Sequence, residues 1–368
     1  MHRNYPWTKI LLRQAYTAIC GTKVLCNLAV PSRKELAVYY GGARRGDFGG
    51  PLVKVKRLNE HFPEVRWGFN LAYLLSNTPY LPGWALQILK ARRIPIVSNQ
   101  NGVFYKAWYE GDWQGQNATM ALAYHAADWV FYQSDFCRRA AERFLGVRQG
   151  QGEVLYNAID TKRFVPRQSV PASRSPYTFL VSGKIGNHLA YRLENTLAAL
   201  RRARDDGLDA RLLVAGWIED GARRSADKLA QQLGLDAVVT YSGPYTQSQA
   251  PQIYQSADAY VMTKHNDPCP NTVLEAMACG LPVLYSNSGG VPELVGDAAG
   301  VAVSCAEDWE QIQVPDPQQV GEGMTRIAEN HAEYSTHARQ MAVQRFDMDH
   351  WIERHRTVFN RLLGLGAA

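Results

Sequence analysis

Two acidic side chains separated by seven residues, Asp267 and Glu275, are the strongest candidates for chemistry in this 368-residue sequence. They flank the start of a helix predicted for NTVLEAMAC, because two prolines exclude the preceding loop from a helix interior and Gly280 ends the run. The first N–H groups of that helix, near the N-cap-type Asn271 and Thr272, could bind an anion such as a diphosphate. Each carboxylate could accept hydrogen bonds from sugar hydroxyls, and Glu275 from the adjacent pair of a ribose. The alternative is an ordinary strand–loop–helix with a turn aspartate and a solvated glutamate.

The residues after Glu275 make this pattern more specific. D-x7-E followed by AMACGLPV and GGVPELV resembles the donor-site signature of the family-4 retaining glycosyltransferases, which have the GT-B fold. In that family the spacing is E-x7-E, so Asp267 is one methylene shorter than the acid it replaces. The resemblance covers roughly residues 36–362. It implies that both acids and the helix start bind a nucleotide-sugar donor.

A cationic segment upstream resembles a second part of the family's donor site. The sequence VSGKIGNHLAYRLENT is similar to a G-R-x…K-G pattern whose two cations clamp the donor diphosphate. The resemblance gives this role to Lys184, which follows Gly183, and to Arg192. Two cations there would stabilise the charge that grows on the leaving group. Lys184 therefore joins Asp267 and Glu275 as a catalytic candidate; the alternative for both cations is a solvated surface position.

A glycine-rich segment, GGARRGDFGG, lies between a predicted strand, ELAVYY, and a helix predicted from Pro51 onward. Glycines such as Gly42 and Gly50 allow the backbone to approach a phosphate or a sugar closely. The spacing is not G-x-G-x-x-G, so a dinucleotide fingerprint is only weakly indicated. The segment resembles the glycine loop after the first strand of the family, and a plain flexible loop is the alternative.

Three further segments of the first half bear on binding. Asn101 follows the predicted strand IPIVSNQNG, where the family often has a histidine that contacts the donor sugar; asparagine can hydrogen-bond there but carries no charge. The aromatic segment VFYKAWYEGDWQGQ is either an acceptor-binding lip or a local core cluster. Near the start, PWTKILLRQAYTAIC predicts an amphipathic helix that packs onto the domain or lies at a membrane surface, and KVLCNLAV predicts a short strand.

Strand and helix patterns alternate along the chain, which predicts an α/β protein with doubly wound parallel sheets. The resemblance implies two Rossmann-like domains facing across a cleft. We expect an acceptor-side domain over residues 1–168 and a nucleotide-sugar-binding domain over 169–345, after the linker-like VPRQSVPASRSP. A terminal helix within 346–368 is expected to cross back to the first domain.

The net charge of +6 conceals an asymmetry between the two halves. Residues 1–170 contain 23 Lys and Arg against 11 Asp and Glu, whereas the remainder contains 17 against 23. A basic first half suggests an anionic partner such as a phospholipid surface or a lipid-phosphate acceptor. Nucleic acid is another possible anionic partner, but no motif with interleaved aromatic residues supports it. The remaining alternative is a basic surface that is exposed to solvent and binds no partner.

Targeting and redox features favour a cytoplasmic protein, with peripheral contact at the inner face of the membrane as an option. The six cysteines form no CxxC pair or metal-ligand spacing, which is typical of a reducing compartment. No apolar run is long enough to span a bilayer, and no signal peptide with a cleavage-type end is present.

The resemblance implies a hexosyltransferase of the kind used in polysaccharide biosynthesis. It would move a sugar from a UDP-, GDP- or ADP-linked donor to a glycan, lipid-linked or small-molecule acceptor, with retention at the anomeric carbon. Neither a metal nor another cofactor is expected. The alternatives are a nucleotide-sugar epimerase, a nicotinamide-dependent dehydrogenase that uses the glycine loop, and a non-catalytic nucleotide-sugar-binding protein.

Overall fold

The computed structural model describes residues 7–46, 50–168 and 174–365. The chain forms two compact units. The first comprises Met1–Tyr156, Trp309–Gln311 and His350–Ala368, and the second comprises Asn157–Asp308 and Ile312–Asp349. Part of the predicted linker, residues 169–173, lies outside the described residues, as does Gly49 of the glycine loop.

The second unit starts at Asn157, earlier than the boundary at 168/169 that the sequence predicts. The Asn157 side chain donates to the backbone oxygen of Cys269 at 2.9 Å. Two residues later, the backbone N–H of Ile159 donates to the backbone oxygen of Phe346 at 2.8 Å. These bonds attach the segment that begins at Asn157 to the second unit.

The first unit is built on a five-stranded parallel sheet in the order β1-β2-β3-β4-β5. Strands β2 and β3 are buried along their whole length, as expected for a parallel sheet covered on both faces. The elements, in chain order, are α1 (Trp7–Asn27), β1 (Val38–Tyr39), α2 (Gly50–His61), β2 (Leu71–Leu75), α3 (Gly83–Ala91), β3 (Ile96–Gln100), α4 (Trp113–Ala126), β4 (Trp129–Tyr132), α5 (Asp135–Leu145) and β5 (Gln151–Val154).

Helix α1 extends further than the sequence predicts. Its end occupies the residues where KVLCNLAV suggested a strand, so that strand prediction is wrong. Cys20, Val24 and Asn27 are all buried, and their spacing of three to four residues is that of one helix face. Burial along this face outweighed the local β-type pattern.

The aromatic segment after β3 forms a local cluster within the first unit. The rings of Phe104 and Trp108 stack with centroids 5.1 Å apart, and Tyr109 meets Phe104 edge to face at 5.0 Å. Trp309 packs edge to face on Tyr105 at 4.8 Å and stacks on Phe136 at 5.0 Å. The packing agrees with the interpretation of a core cluster.

The second unit contains a six-stranded parallel sheet in the order β11-β10-β9-β6-β7-β8. Its elements are β6 (Tyr177–Ser182), α6 (Ala190–Asp205), β7 (Ala210–Ala215), α7 (Asp220–Gln232), β8 (Val239–Gly243), α8 (Ala250–Gln255), β9 (Ala259–Met262), α9 (Asn271–Ala278), β10 (Val283–Ser286), α10 (Val291–Val295), β11 (Gly300–Val303), α11 (Pro317–Glu329) and α12 (His331–Arg345). The strand order reverses beside β6, and ligands of such sheets bind at the carboxyl ends of the strands near that point.

The last helix, α13 (Met348–Leu363), packs against the first unit from His350 onward. His355 is completely buried, and its Nε2 lies 3.1 Å from the Tyr73 hydroxyl. Arg354 donates to both oxygens of Glu153, the shorter bond being 2.8 Å. Among the residues that the structure describes, none of the helices is both long and apolar enough to cross a membrane.

Candidate functional site

The candidate site lies at the carboxyl edge of the second sheet, where a loop joins β9 to α9. The sequence predicts Asn271 as the cap of this helix, and that prediction is wrong: Pro270 occupies the cap with φ −72° and ψ 122°, and Asn271 is the first helical residue. A proline cap provides no side-chain acceptor, so the first-turn N–H groups are left to other partners. The start of α9 therefore retains its capacity to bind an anion.

Asp267 is held in the loop just before α9 and is only 9% exposed. Its Oδ2 accepts a hydrogen bond from Lys264 Nζ at 2.7 Å, and its backbone oxygen accepts one from the Gly290 N–H at 2.9 Å. A Cβ on Gly289, where φ is +72°, would lie 2.6 Å from that same backbone oxygen. The glycine pair after β10 thus fixes the backbone that carries Asp267.

Glu275 is buried, with 5% of its surface exposed, so it is not the solvent-exposed helix glutamate of the alternative interpretation. Its Oε2 accepts a 2.7 Å hydrogen bond from the Tyr254 hydroxyl, which in turn lies 3.2 Å from Ser182 Oγ. Burial, followed by the charge of Glu275, raises the pKa of Tyr254 well above its ordinary value and that of Tyr245 to about 12. Both phenols stay protonated at neutral pH, and Tyr254 donates its hydroxyl proton to the carboxylate.

Several buried polar atoms near this edge have no hydrogen-bond partner among the described residues. A buried polar atom without a partner costs about 1–3 kcal/mol, and it regains that free energy when a polar ligand binds it. The side chains are on or beside the ends of β9 and β10, at the start of α9, or on α6. The atoms are Arg192 Nε, His265 Nδ1, Asn266 Oδ1, Asn271 Oδ1 and Ser286 Oγ.

The structure brings two predicted donor-site residues together, Gly183 in the turn after β6 and Thr272 at the start of α9. Gly183 follows β6 with φ +116°, and the nearest side-chain atom to a Cβ built there is Thr272 Cγ2 at 3.9 Å. The turn after β6 and the first turn of α9 are therefore neighbours. This arrangement places a flexible backbone beside the N–H groups that we expect to bind the diphosphate.

The two predicted cations have different environments. Lys184 is exposed, and its Nζ lies 4.9 Å from the centroid of the Trp217 ring. Arg192 is only 4% exposed on α6, so the surface alternative for it is wrong. Its Nη2 lies 3.7 Å from the sulfur of Met262, the last residue of β9. A buried guanidinium with an unpartnered Nε suits an anionic ligand.

The remaining predicted residues lie in the first unit. Gly42, with φ +87°, is packed against α1: its backbone oxygen accepts from the Tyr16 hydroxyl at 2.7 Å, and a Cβ there would meet Cys20 Sγ at 2.3 Å. Gly50 is the first residue of α2 and has open space around it. Asn101 pairs with Ser76, whose hydroxyl oxygen accepts from the Asn101 N–H at 3.1 Å. Packing on α1 alone accounts for a glycine at position 42.

Comparison with known families decides what kind of protein carries this site. The model for glycosyl transferases of group 1 matches residues 165–314, and the model for glycosyltransferase family 4 matches residues 38–163. The chain belongs to the family-4, group 1 glycosyltransferases. The first of these matches contains both acids, the start of α9 and both cations.

Curated relatives agree with this assignment, and solved structures share the fold. A D-inositol 3-phosphate glycosyltransferase from Actinosynnema mirum is 33% identical over 170 residues, which are 42% of this chain and 41% of the relative. The matched part of the chain spans about half the length, or less, of the curated relatives that it matches. An Anabaena protein, HepE, crystallised with UDP, superposes with a TM-score of 0.64 at 18% identity over 85% of this chain and 82% of HepE. A glycosyltransferase from Rickettsia africae gives 0.65 at 14% identity over 95% and 94%. The fold is GT-B.

Some site residues of this glycosyltransferase family member could not be identified from the sequence. Lys264 is close to Asp267 along the chain, so its pairing could have been suspected from the spacing. Tyr254 and Tyr245 lie on or before α8 and reach Glu275 only through the tertiary fold. No local motif marks them.

Proposed function

We propose that this protein is a retaining glycosyltransferase that moves a hexose from a nucleotide-sugar to a hydroxyl acceptor. One observation carries the proposal: two buried acids, Asp267 and Glu275, flank a helix start that has no side-chain cap and lies beside the Gly183 turn. A helix start of this kind suits a diphosphate, and buried carboxylates suit the hydroxyls on either side of it. Family membership supports the same chemistry.

Each residue has a distinct role in this proposal. Glu275, oriented by Tyr254, accepts hydrogen bonds from the ribose hydroxyls, and Asp267 accepts one from the transferred sugar. The first-turn N–H groups of α9, together with Lys184 and Arg192, stabilise the charge on the departing nucleotide diphosphate. The donor contacts that the resemblance implies for Gly42, Gly50 and Asn101, all in the first unit, stay predictions. Catalysis then depends on orientation and charge stabilisation, and the leaving phosphate helps to remove the acceptor proton, without a metal.

We further propose a UDP-linked donor. The support is that HepE, which shares the fold, was crystallised with UDP and with UDP-glucose. For the acceptor we propose a polyhydroxylated small molecule or glycan, free or lipid-linked. The curated relatives named D-inositol 3-phosphate glycosyltransferase support a hydroxylated acceptor class.

The test is a transfer assay with UDP-glucose, GDP-mannose and ADP-glucose as donors and a panel of sugars and inositol phosphates as acceptors. We expect release of UDP that depends on an acceptor, and a product whose anomeric configuration by NMR matches that of the donor. An inverted product would refute retention. Isomerised donor without any acceptor would indicate an epimerase, and binding without turnover or hydrolysis would indicate a non-catalytic protein.

A further inference from the structure

Helix α1 presents an apolar face to solvent. Leu12 is 69% exposed and Ile19 is 63% exposed, with Leu11 at 62% and Leu25 at 45%. The opposite side of the same helix, which includes Val24, is buried against the first unit. A helix that covers a domain normally exposes polar side chains to solvent, whereas this helix exposes large apolar side chains.

The exposed apolar surface continues onto two neighbouring helices. Helix α3 packs against both α1 and α4. Trp84 on α3 is 43% exposed and lies across Gly21 of α1, where a Cβ would be 2.5 Å from its ring. Leu122 on α4 is 51% exposed, and with Leu86 it lines an open depression of about 290 Å³. We call this surface the α1/α3/α4 face.

The charges of the three helices have one sign. Helices α1, α3 and α4 contain no Asp or Glu, and the Lys and Arg side chains that the structure describes on them are Arg13, Lys23 and Lys90. Just after α1, Arg33 and Lys34 are exposed together with one acid, Glu35, which leaves a net positive charge there. Lys90 pairs with Asp128 at 3.1 Å, a residue that follows α4.

This distribution favours an anionic partner over a second copy of the chain. Two copies related by a twofold axis would bring like charges together, and the helices contain no acid to neutralise them. An anionic phospholipid surface supplies both a negative charge for the cations and an apolar layer for the leucines. Tryptophan has an apolar ring and a polar N–H, which suits it to the boundary between the two.

We propose that the α1/α3/α4 face docks on the surface of an anionic phospholipid membrane. Helix α1 lies along the surface with Leu11, Leu12, Ile19 and Leu25 in the headgroup boundary, and Trp84 inserts beside it. The docking is independent of the donor site, so it does not rest on the proposed function.

The test is co-sedimentation of the full chain with vesicles. We expect binding to vesicles of phosphatidylglycerol and phosphatidylcholine, weak binding to pure phosphatidylcholine, and a loss of binding as salt is raised. Ile19→Glu and Leu12→Glu remove apolar area and add a negative charge, so each should weaken binding about tenfold. Val147→Glu is the matched control: Val147 is 79% exposed, follows α5 and lies outside the face, so binding should be unchanged.

Circular dichroism establishes that each variant is folded, and Ile19→Ser replaces Ile19→Glu if that variant is not. Equal binding of wild type to both vesicle types would overturn the proposal, as would equal losses in Val147→Glu and Ile19→Glu. A wild type that ignores vesicles but forms dimers that Leu12→Glu dissociates would also overturn it, in favour of a second copy.

Discussion

The hydroxyl of Tyr254 donates a 2.7 Å hydrogen bond to Oε2 of Glu275, with both side chains buried. Glu275 is the acid that we expect to bind the ribose of the donor. A buried carboxylate must be hydrogen-bonded, and each such bond also restricts its orientation. We therefore expect Tyr254 to act as a positioning residue for donor binding.

We predict that Tyr254→Phe lowers kcat/KM for the nucleotide-sugar by about ten- to a hundredfold, because a hydrogen bond to a charged group is worth about 1.5–3 kcal/mol. The matched control is Tyr177→Phe, which removes a buried hydroxyl that lies 2.8 Å from His331 Nδ1 in the same unit. The control should lose stability but retain kcat/KM. Steady-state kinetics at saturating acceptor measures kcat/KM for both variants, and urea unfolding measures their stability. An unchanged kcat/KM in Tyr254→Phe would exclude Tyr254 from the site.

Gly289→Ala tests whether the glycine pair fixes Asp267. The added Cβ would lie 2.6 Å from the Asp267 backbone oxygen at a φ of +72°. We expect a loss of about 1–3 kcal/mol in the free energy of unfolding and weaker donor binding, because the loop must move.

Gly296→Ala is the control for Gly289→Ala. Gly296 also has a positive φ, +57°, but a Cβ there meets nothing within 4 Å. Its ψ of −176° places it in a region that is essentially restricted to glycine, so it should lose about 1–3 kcal/mol through the backbone conformation alone and retain donor affinity. Wild-type donor affinity in Gly289→Ala, measured by calorimetry, would contradict the role given to this contact.

Arg192→Met separates stability from donor binding. The guanidinium is buried, and none of the acids in the described part of the chain pairs with it. An apolar side chain of similar volume should raise the free energy of unfolding by about 1 kcal/mol. If Arg192 binds the diphosphate, donor affinity should fall about tenfold. Urea unfolding and titration with UDP measure the two effects, and undiminished UDP affinity would exclude Arg192 from the clamp.

Acid should destabilise the protein through its buried histidines. Burial lowers the pKa of His331 to about 4 and that of His355 to about 3. Since the unfolded value is about 6.5, the unfolded chain binds protons first as pH falls, so stability is complete above that pH and declines below it. At pH 5 we expect a loss of about 2 kcal/mol for each histidine.

Urea unfolding between about pH 7.5 and about pH 5, a range that spans the pKa of histidine in the unfolded chain, measures this loss. His355→Gln should make the dependence on pH shallower, because position 355 no longer takes up a proton on unfolding. A stability that is constant or that rises as pH falls would contradict the account.

Much of the fold could be predicted from the sequence, because the alternation of strand and helix patterns is local. The positions of Asp267 and Glu275 around a helix start were predictable for the same reason, since a proline loop and a helical run define them. The helix cap could not be predicted in this way. Asn271 is a residue type that often caps helices, but Pro270 occupies the cap position and Asn271 is the first helical residue. The contact between Tyr254 and Glu275 depends on how α8 packs beside α9, which no local pattern specifies.

The central claim is that Glu275 and the start of α9 hold a nucleotide-sugar. The most direct test is a thermal-shift titration of wild type, Glu275→Ala and the surface control Glu322→Ala with UDP-, GDP- and ADP-sugars, because a ligand that binds the folded state raises its unfolding temperature. We predict that a UDP-sugar stabilises the wild type and Glu322→Ala, and that Glu275→Ala folds but neither responds to the donor nor transfers sugar. A Glu275→Ala variant with the full thermal shift and full transfer activity would contradict the claim.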